Sequence, residues 1–271
     1  MLKASLRRII AVMRARFLLL LAAAFVVAIP SIGQQSASPP SRTILAIGAH
    51  AGDMELTAGP LLVLQKGKGD RIVLLHLTLG EKGHRTLGAA EYGKQKKREA
   101  EAVASAIGAE VMFGPWKDAE LPDDEAARRW VAAAIRQARP DLVITHWSES
   151  LHRDHAAAHR IANDAILLAA LDVDGIAGEP WRGVRSTWYA ENWEDKPRFE
   201  PYVFVGVATA METWREAVSL YEFAHGKIWG FPYIDYYLAL ATVRGAESYK
   251  GKAVAFAVEP HARRRVLDGI P

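Results

Sequence analysis

A chain of 271 residues, half of them hydrophobic and 24% charged, has the make-up of one large globular domain and excludes a disordered or fibrous protein. It contains no cysteine, which excludes thiolate nucleophiles, cysteine-bound zinc and iron–sulfur clusters; any metal site must use His, Asp, Glu or water. The formal charge of +3 is concentrated at the start, where Lys3, Arg7, Arg8, Arg14 and Arg16 precede the first acid, Asp53, so no basic stripe is left to mark a nucleic-acid partner.

In chain order, residues 1–16 are basic and 17–29 (FLLLLAAAFVVAI) are apolar without interruption. This run is short for a bilayer span, which needs about 20 residues. With the small residues Ser31-Ile32-Gly33 after it, the segment 1–33 reads as an export signal, which implies a periplasmic or extracellular protein. The alternative is an uncleaved anchor, and the membrane would then be a partner only through this segment. Residues 34–42 (QQSASPPSR) form a polar linker, and one domain is expected over 43–271.

Residues 43–49 (TILAIGA) are the first short apolar run, and an amphipathic stretch follows to about Lys66. Strands are expected at 71–78, 110–113 and 142–146, alternating with helices at 92–107, 123–138 and 154–170. Such alternation predicts an α/β fold: a three-layer, Rossmann-like parallel sheet with helices on both faces. Beyond residue 170 the pattern is less regular, with a strand expected at 203–207 and helices at 213–224 and 233–244.

In a doubly wound sheet, ligands bind beyond the carboxyl ends of strands where the strand order reverses. In the order 3-2-1-4 that point lies between strands 1 and 4, whose ends hold the densest His and Asp clusters. Strand 1 runs into His50-Ala-Gly-Asp53-Met-Glu55, and strand 4 into His146 and then His152-Arg-Asp154-His155. Imidazole and carboxylate donors with an open position suit Zn²⁺ or another divalent metal, which acidifies water and polarises a carbonyl.

The segment AIGAHAGDMELTAGPLL resembles the Ala-His-Pro-Asp-Asp-x-Glu signature of the LmbE-like, PIG-L-type zinc N-deacetylases. HLTLGEKGHR, KREAEAVASAIGA, KDAEL and RPDLVITHW followed by HRDH are similar to further segments of that family, over roughly residues 43–170. The resemblance implies His50, Asp53 and His155 as metal ligands and His152 as a catalytic residue stabilising an oxyanion. It implies Asp154 as the acid orienting an imidazole, and Arg98 as a substrate contact. It also implies a hydrolase that removes an N-acetyl group from an amino-sugar-containing small molecule or glycan.

One position departs from the signature: the acid that serves as general base is Gly52 here, and the preceding Pro is Ala51. Glycine accepts no proton, so another carboxylate takes that role, with Glu55 and Asp154 near in sequence, or a metal-bound hydroxide attacks unaided, or the chain is a metal-containing carbohydrate-binding pseudoenzyme. On sequence alone, Gly52→Asp is expected to raise activity. Other residues have plainer readings: His76 as packing, His84 as structural and His159 as support or surface. The run 94–98 (KQKKR) reads as a solvated basic face, and Trp147, Trp181, Trp188 and Trp193 as core residues or a sugar platform.

Overall fold

The computed structural model describes residues 41–264, so the expected export segment and nearly all of the expected linker lie outside the described residues. No helix among the described residues is long and apolar enough to cross a membrane.

The core of the fold is a sheet built on β1 (Thr43–Gly48). Its side chains alternate between two cores: Ile44 and Ala46 enter one, Leu45 and Ile47 the other, and all four are buried. A strand covered on both faces must be apolar throughout, which is why 43–49 shows no polar alternation. β2 (Arg71–His76) and β4 (Leu142–Thr145) flank β1 in parallel, and β3 (Glu110–Phe113) continues beyond β2. On the other side β5 (Ser186–Ala190) pairs in parallel with β4. β7 (Ala253–Ala257) then runs antiparallel between β5 and β6 (Val203–Gly206), for an overall order β3-β2-β1-β4-β5-β7-β6. The expected three-layer α/β fold is observed; the antiparallel β7 and the strand β5 are additions that the sequence pattern did not reveal.

On the Leu45 face pack α4 (Glu125–Ala138) and α5 (Arg153–Ala170), through Val131, Ile135, Ile161 and Ala165. Asp124 caps α4 by accepting a hydrogen bond from Ala127 N–H at 2.9 Å, so the helix begins two residues later than its expected start at 123. The Ile44 face is covered by α1 (Asp53–Thr57), α2 (Gly59–Gly67), α3 (Ala89–Ile107), α6 (Met211–Val218) and α7 (Tyr233–Ser248). The amphipathic stretch after β1 is therefore two helices, broken at Ala58. The expected helix 213–224 ends at Val218, and a short 3₁₀ turn, Glu222–His225, follows.

Trp214 of α6 ties the C-terminal helices to the first turn after β1. Its fully buried indole donates to the Glu55 carbonyl at 2.8 Å and lies so close to Gly59 that a Cβ there would sit 2.6 Å from the ring. Trp214→Ala is expected to lower unfolding free energy by about 3–5 kcal/mol through cavity formation and the orphaned carbonyl. Urea denaturation measures this, and a loss under about 1 kcal/mol would contradict it.

Candidate metal centre and substrate cavity

The reversal of strand order between β1 and β4 does bring the two distant clusters together. His50 follows β1 in a tight loop, Asp53 opens α1, and His155 lies in the first turn of α5. His50 Nδ1 lies 3.2 Å from His155 Nε2, and Asp53 Oδ2 lies 3.3 Å from the former and 3.6 Å from the latter. These separations match the roughly 3.3 Å edge of a tetrahedron of donors at about 2.0–2.1 Å from one centre.

Neighbours fix which ring atoms face that centre. Asp195, fully buried, takes His155 Nδ1–H at 2.9 Å, which leaves His155 Nε2 as a bare acceptor. Asp118 Oδ1 stands 3.2 Å from His50 Nε2 and Asp154 Oδ2 stands 3.6 Å from it, which places the proton there and leaves Nδ1 bare. Two lone pairs and a carboxylate oxygen thus point at one spot, an arrangement that repels itself until a cation or a proton enters. The titration behaviour reflects this. Burial opposes charge on His50, but Asp53 and the contacts with Asp118 and Asp154 outweigh it and hold its pKa well above 6.5. Burial also opposes charge on Asp53, yet His155 and His50 hold it well below the usual carboxylate range. His155 is pushed down to about 4 by burial and by His146. His50, Asp53 and His155 are thus the residues that could hold a divalent metal.

Three other groupings also bring donor atoms together, His50 with His152 and His155, Asp53 with His146 and His155, and His50 with Asp118 and Asp154, but in each some of the atoms are already engaged. His146 Nε2 accepts Ala49 N–H at 3.0 Å, and its Nδ1 faces Asp195 at 2.9 Å. His152 is the N-cap of α5, where its Nδ1 accepts Asp154 N–H at 3.2 Å. That contact leaves Nε2 as the protonated edge of His152, and burial and the neighbouring His50 lower its pKa, so the ring is neutral and can donate into the cavity. Asp154 accepts Ala119 N–H at 2.7 Å and faces His50, an orienting position beside Asp118. His159 donates Nδ1–H to the His146 carbonyl at 3.0 Å, behind the site.

A cavity of about 530 Å³ opens over these groups. Trp193 and Phe231, stacked at 4.4 Å, form part of its wall, with Phe223, Trp229 and Tyr233. Of the four tryptophans considered from the sequence, Trp193 alone lines the cavity; the indoles of Trp147 and Trp181 bind backbone carbonyls elsewhere and Trp188 packs in the core. His84 caps its own loop, with Nδ1 accepting Leu87 N–H at 2.9 Å. His76 is buried beside Glu55, as packing.

Arg98 is exposed and does not line the cavity; α3 turns Tyr92, Lys96, Ala100 and Val103 inward, and position 98 falls on the outer face. Lys96, read from sequence as part of a solvated face, is the inward cation. Its Nζ binds the Ala51 carbonyl at 2.5 Å and lies 3.8 Å from the Phe223 ring centre, and burial lowers its pKa to about 8. Glu194, Asp195 and Asn192 were also missed. They follow β5 in the irregular third of the chain, where no spacing pattern flags them. Burial, with Asp53 and Asp195 nearby, pushes Glu194 up to about 7.

The structure reverses the expectation for position 52. Gly52 has φ 110°, and a Cβ there would lie 2.6 Å from Phe223 Cζ and 3.6 Å from Lys96 Nζ. The volume that an acid would need is filled, so Gly52→Asp does not fit without displacing Phe223. Gly52→Ala is expected to cost about 1–3 kcal/mol, from the positive φ and the overlap. Combined with Phe223→Ala it should cost less than the sum of the two by about 0.5–3 kcal/mol in a double-mutant cycle. Strict additivity in chemical denaturation would show that the ring does not close this position.

Residues 45–166 match the family profile described as PIG-L: GlcNAc-PI de-N-acetylase. A 1D-myo-inositol 2-acetamido-2-deoxy-alpha-D-glucopyranoside deacetylase of Rhodococcus opacus is 28% identical over 177 residues, 54% of this chain and 61% of that protein. The chain thus spans about 60% of the length of the first curated deacetylases it matches. A 4-oxalmesaconate hydratase of Pseudomonas putida is 22% identical over 83% of this chain and 88% of that protein. Among solved structures, the N,N'-diacetylchitobiose deacetylase of Pyrococcus horikoshii superposes with a TM-score of 0.71 at 17% identity, over 84% of this chain and 87% of that one, a likeness of fold.

Proposed function

We propose that this chain is a metal-dependent hydrolase that removes an N-acetyl group from an amino-sugar-containing substrate, a reading supported by the match of residues 45–166 to the PIG-L de-N-acetylase profile. The observation that supports it most is the convergence of His50 Nδ1, Asp53 Oδ2 and His155 Nε2 at 3.2–3.6 Å, a set in which a divalent cation would replace the proton on His50. The donor set of two imidazoles and a carboxylate favours Zn²⁺, and a divalent ion held there would supply Lewis acidity that polarises the amide carbonyl and acidifies water.

The chain's own residues do the rest. Asp195 holds the imidazole of His155 in the required tautomer, and Asp118 with Asp154 does the same for His50. His152, neutral and capped through Nδ1, donates Nε2–H to the oxygen that becomes negative when the amide carbon turns tetrahedral. Trp193 and Phe231 give the sugar ring an aromatic wall. Reading residues 1–33 as an export signal would put the action outside the cytosol, and N-terminal sequencing of the protein from its producing cells tests that.

Acetate release from N-acetylglucosamine, N,N'-diacetylchitobiose or an N-acetylglucosaminyl-inositol is the direct assay; tight binding of these sugars without any turnover would instead favour the pseudoenzyme. His50→Ala and His155→Ala should each reduce bound zinc from about one per chain to a small fraction. Full zinc occupancy in both variants would refute the ligand assignment. Asp195→Asn should weaken zinc binding by about 10–100-fold in a chelator competition, because the amide cannot hold both imidazole protons as the carboxylate does.

A second reading, water addition to an unsaturated acid, is favoured by the long match to a hydratase and by the buried Lys96 ammonium, which is suited to a substrate carboxylate. Loss of ultraviolet absorbance from a conjugated unsaturated acid, without acetate release from any amino sugar, would select it.

A further inference from the structure

The Gly52 position cannot supply the proton acceptor that amide hydrolysis requires, and the carboxylates named from the sequence cannot either. Glu55 Oε1 accepts the Tyr221 hydroxyl at 2.6 Å and faces His76, and the residue is buried beneath the loop. Asp154 is bound to Ala119 N–H and faces the outer edge of His50. Asp118 accepts Lys82 N–H at 3.0 Å and faces that same edge. Asp195 is committed to two imidazoles, and Asp53 belongs to the converging triad.

Glu194 differs from all of these. It lines the cavity, and its Oε2 lies 3.7 Å from His155 Nε2, the same nitrogen that faces His50 and Asp53. Its backbone is pinned at both ends: its N–H donates to Asn192 Oδ1 at 3.1 Å, and its carbonyl accepts Leu151 N–H at 3.0 Å. Its side chain is a quarter exposed, and among the described residues no hydrogen-bond donor engages its carboxylate. A carboxylate held by its backbone, free at its oxygens and aimed at the triad is placed to serve a small molecule there.

We propose that Glu194 is the proton acceptor for the attacking water, taking over the role that an acid at position 52 cannot fill in this chain. The proposal rests on the amide-hydrolase reading. In the step, the water oxygen bonds to the amide carbon and one of its protons passes to Glu194. The carbon–nitrogen bond then breaks, and Glu194 returns the proton to the departing nitrogen. The products are the free amine and acetic acid, and Glu194 ends as the carboxylate it was at the start.

The test uses the zinc-loaded protein and its Glu194→Gln and Glu194→Ala variants. Glu194→Gln is expected to keep about one zinc per chain and the wild-type melting temperature. It should lower kcat for acetate release by about 10²–10⁴-fold with KM within about threefold. Formate should restore part of the activity of Glu194→Ala and none to Glu194→Gln, whose amide still fills the space. Activity of Glu194→Gln within threefold of wild type overturns the proposal, as does loss of zinc from that variant, which would make Glu194 a ligand.

A readout independent of turnover separates this from failure of the functional reading. Acetohydroxamic acid loses a proton on binding zinc, and calorimetry in two buffers of different ionisation enthalpy counts how many reach solvent. Wild type should release close to none, because Glu194 keeps the proton, and Glu194→Gln about one. If wild type cleaves no amide yet the counts differ in this way, the hydrolase reading fails and Glu194 still stands as the proton acceptor. Equal counts overturn it.

Discussion

Three nitrogen and oxygen atoms, one from each of His50, Asp53 and His155, are held so close that a proton or a cation must lie among them. Left alone, such an arrangement would relax by rotating a side chain. It persists because each ring is anchored from behind: Asp195 grips His155, and Asp118 with Asp154 faces the far nitrogen of His50. Asp53 is fixed by accepting His50 N–H at 2.7 Å. For Asp195 the hydrogen bonds to two imidazoles offset its cost of desolvation. The sheet matters here mainly because the neighbouring carboxyl ends of β1, β4 and β5 put these groups within reach of one another, with Asp118 coming from the loop after β3.

Much of this was legible in the sequence because both cores of an α/β sheet impose strong patterns. The unbroken apolar run at 43–49 and the amphipathic helices gave the layers, and the topological switch gave the meeting of residues 50 and 155. Arg98 and Lys96 show the limit: both lie in one basic run, and only the phase of α3 decides which of them faces inward. A shift of two residues is about 200° of helix, and the lysine-rich stretch has too few apolar neighbours to set that phase by eye. Asp195 and Glu194 were hidden for another reason. They stand after a strand that the pattern did not reveal, in a segment where neither helical nor strand periodicity operates.

Position 52 is closed by its neighbourhood. A glycine with a positive φ permits the loop to turn, Phe223 fills the space above it, and Lys96 reaches in to the Ala51 carbonyl across the aromatic face. A side chain at 52 would strike the ring, and the buried ammonium is met by the carbonyl and the ring face. A substitution at 52 alone therefore meets this packing.

The cavity draws its two halves from different stretches of chain. The floor that grips comes from residues before 156, within the segment that matches the deacetylase profile. Most of the ceiling, from Asn192 to Tyr237, comes from beyond it. The outline of the space above the three converging side chains is therefore drawn largely by residues outside the matched segment. In this chain the ceiling also reaches down to supply Asp195, so remodelling it is not without risk: any redesign of the roof must leave standing the one carboxylate on which a pillar of the floor rests.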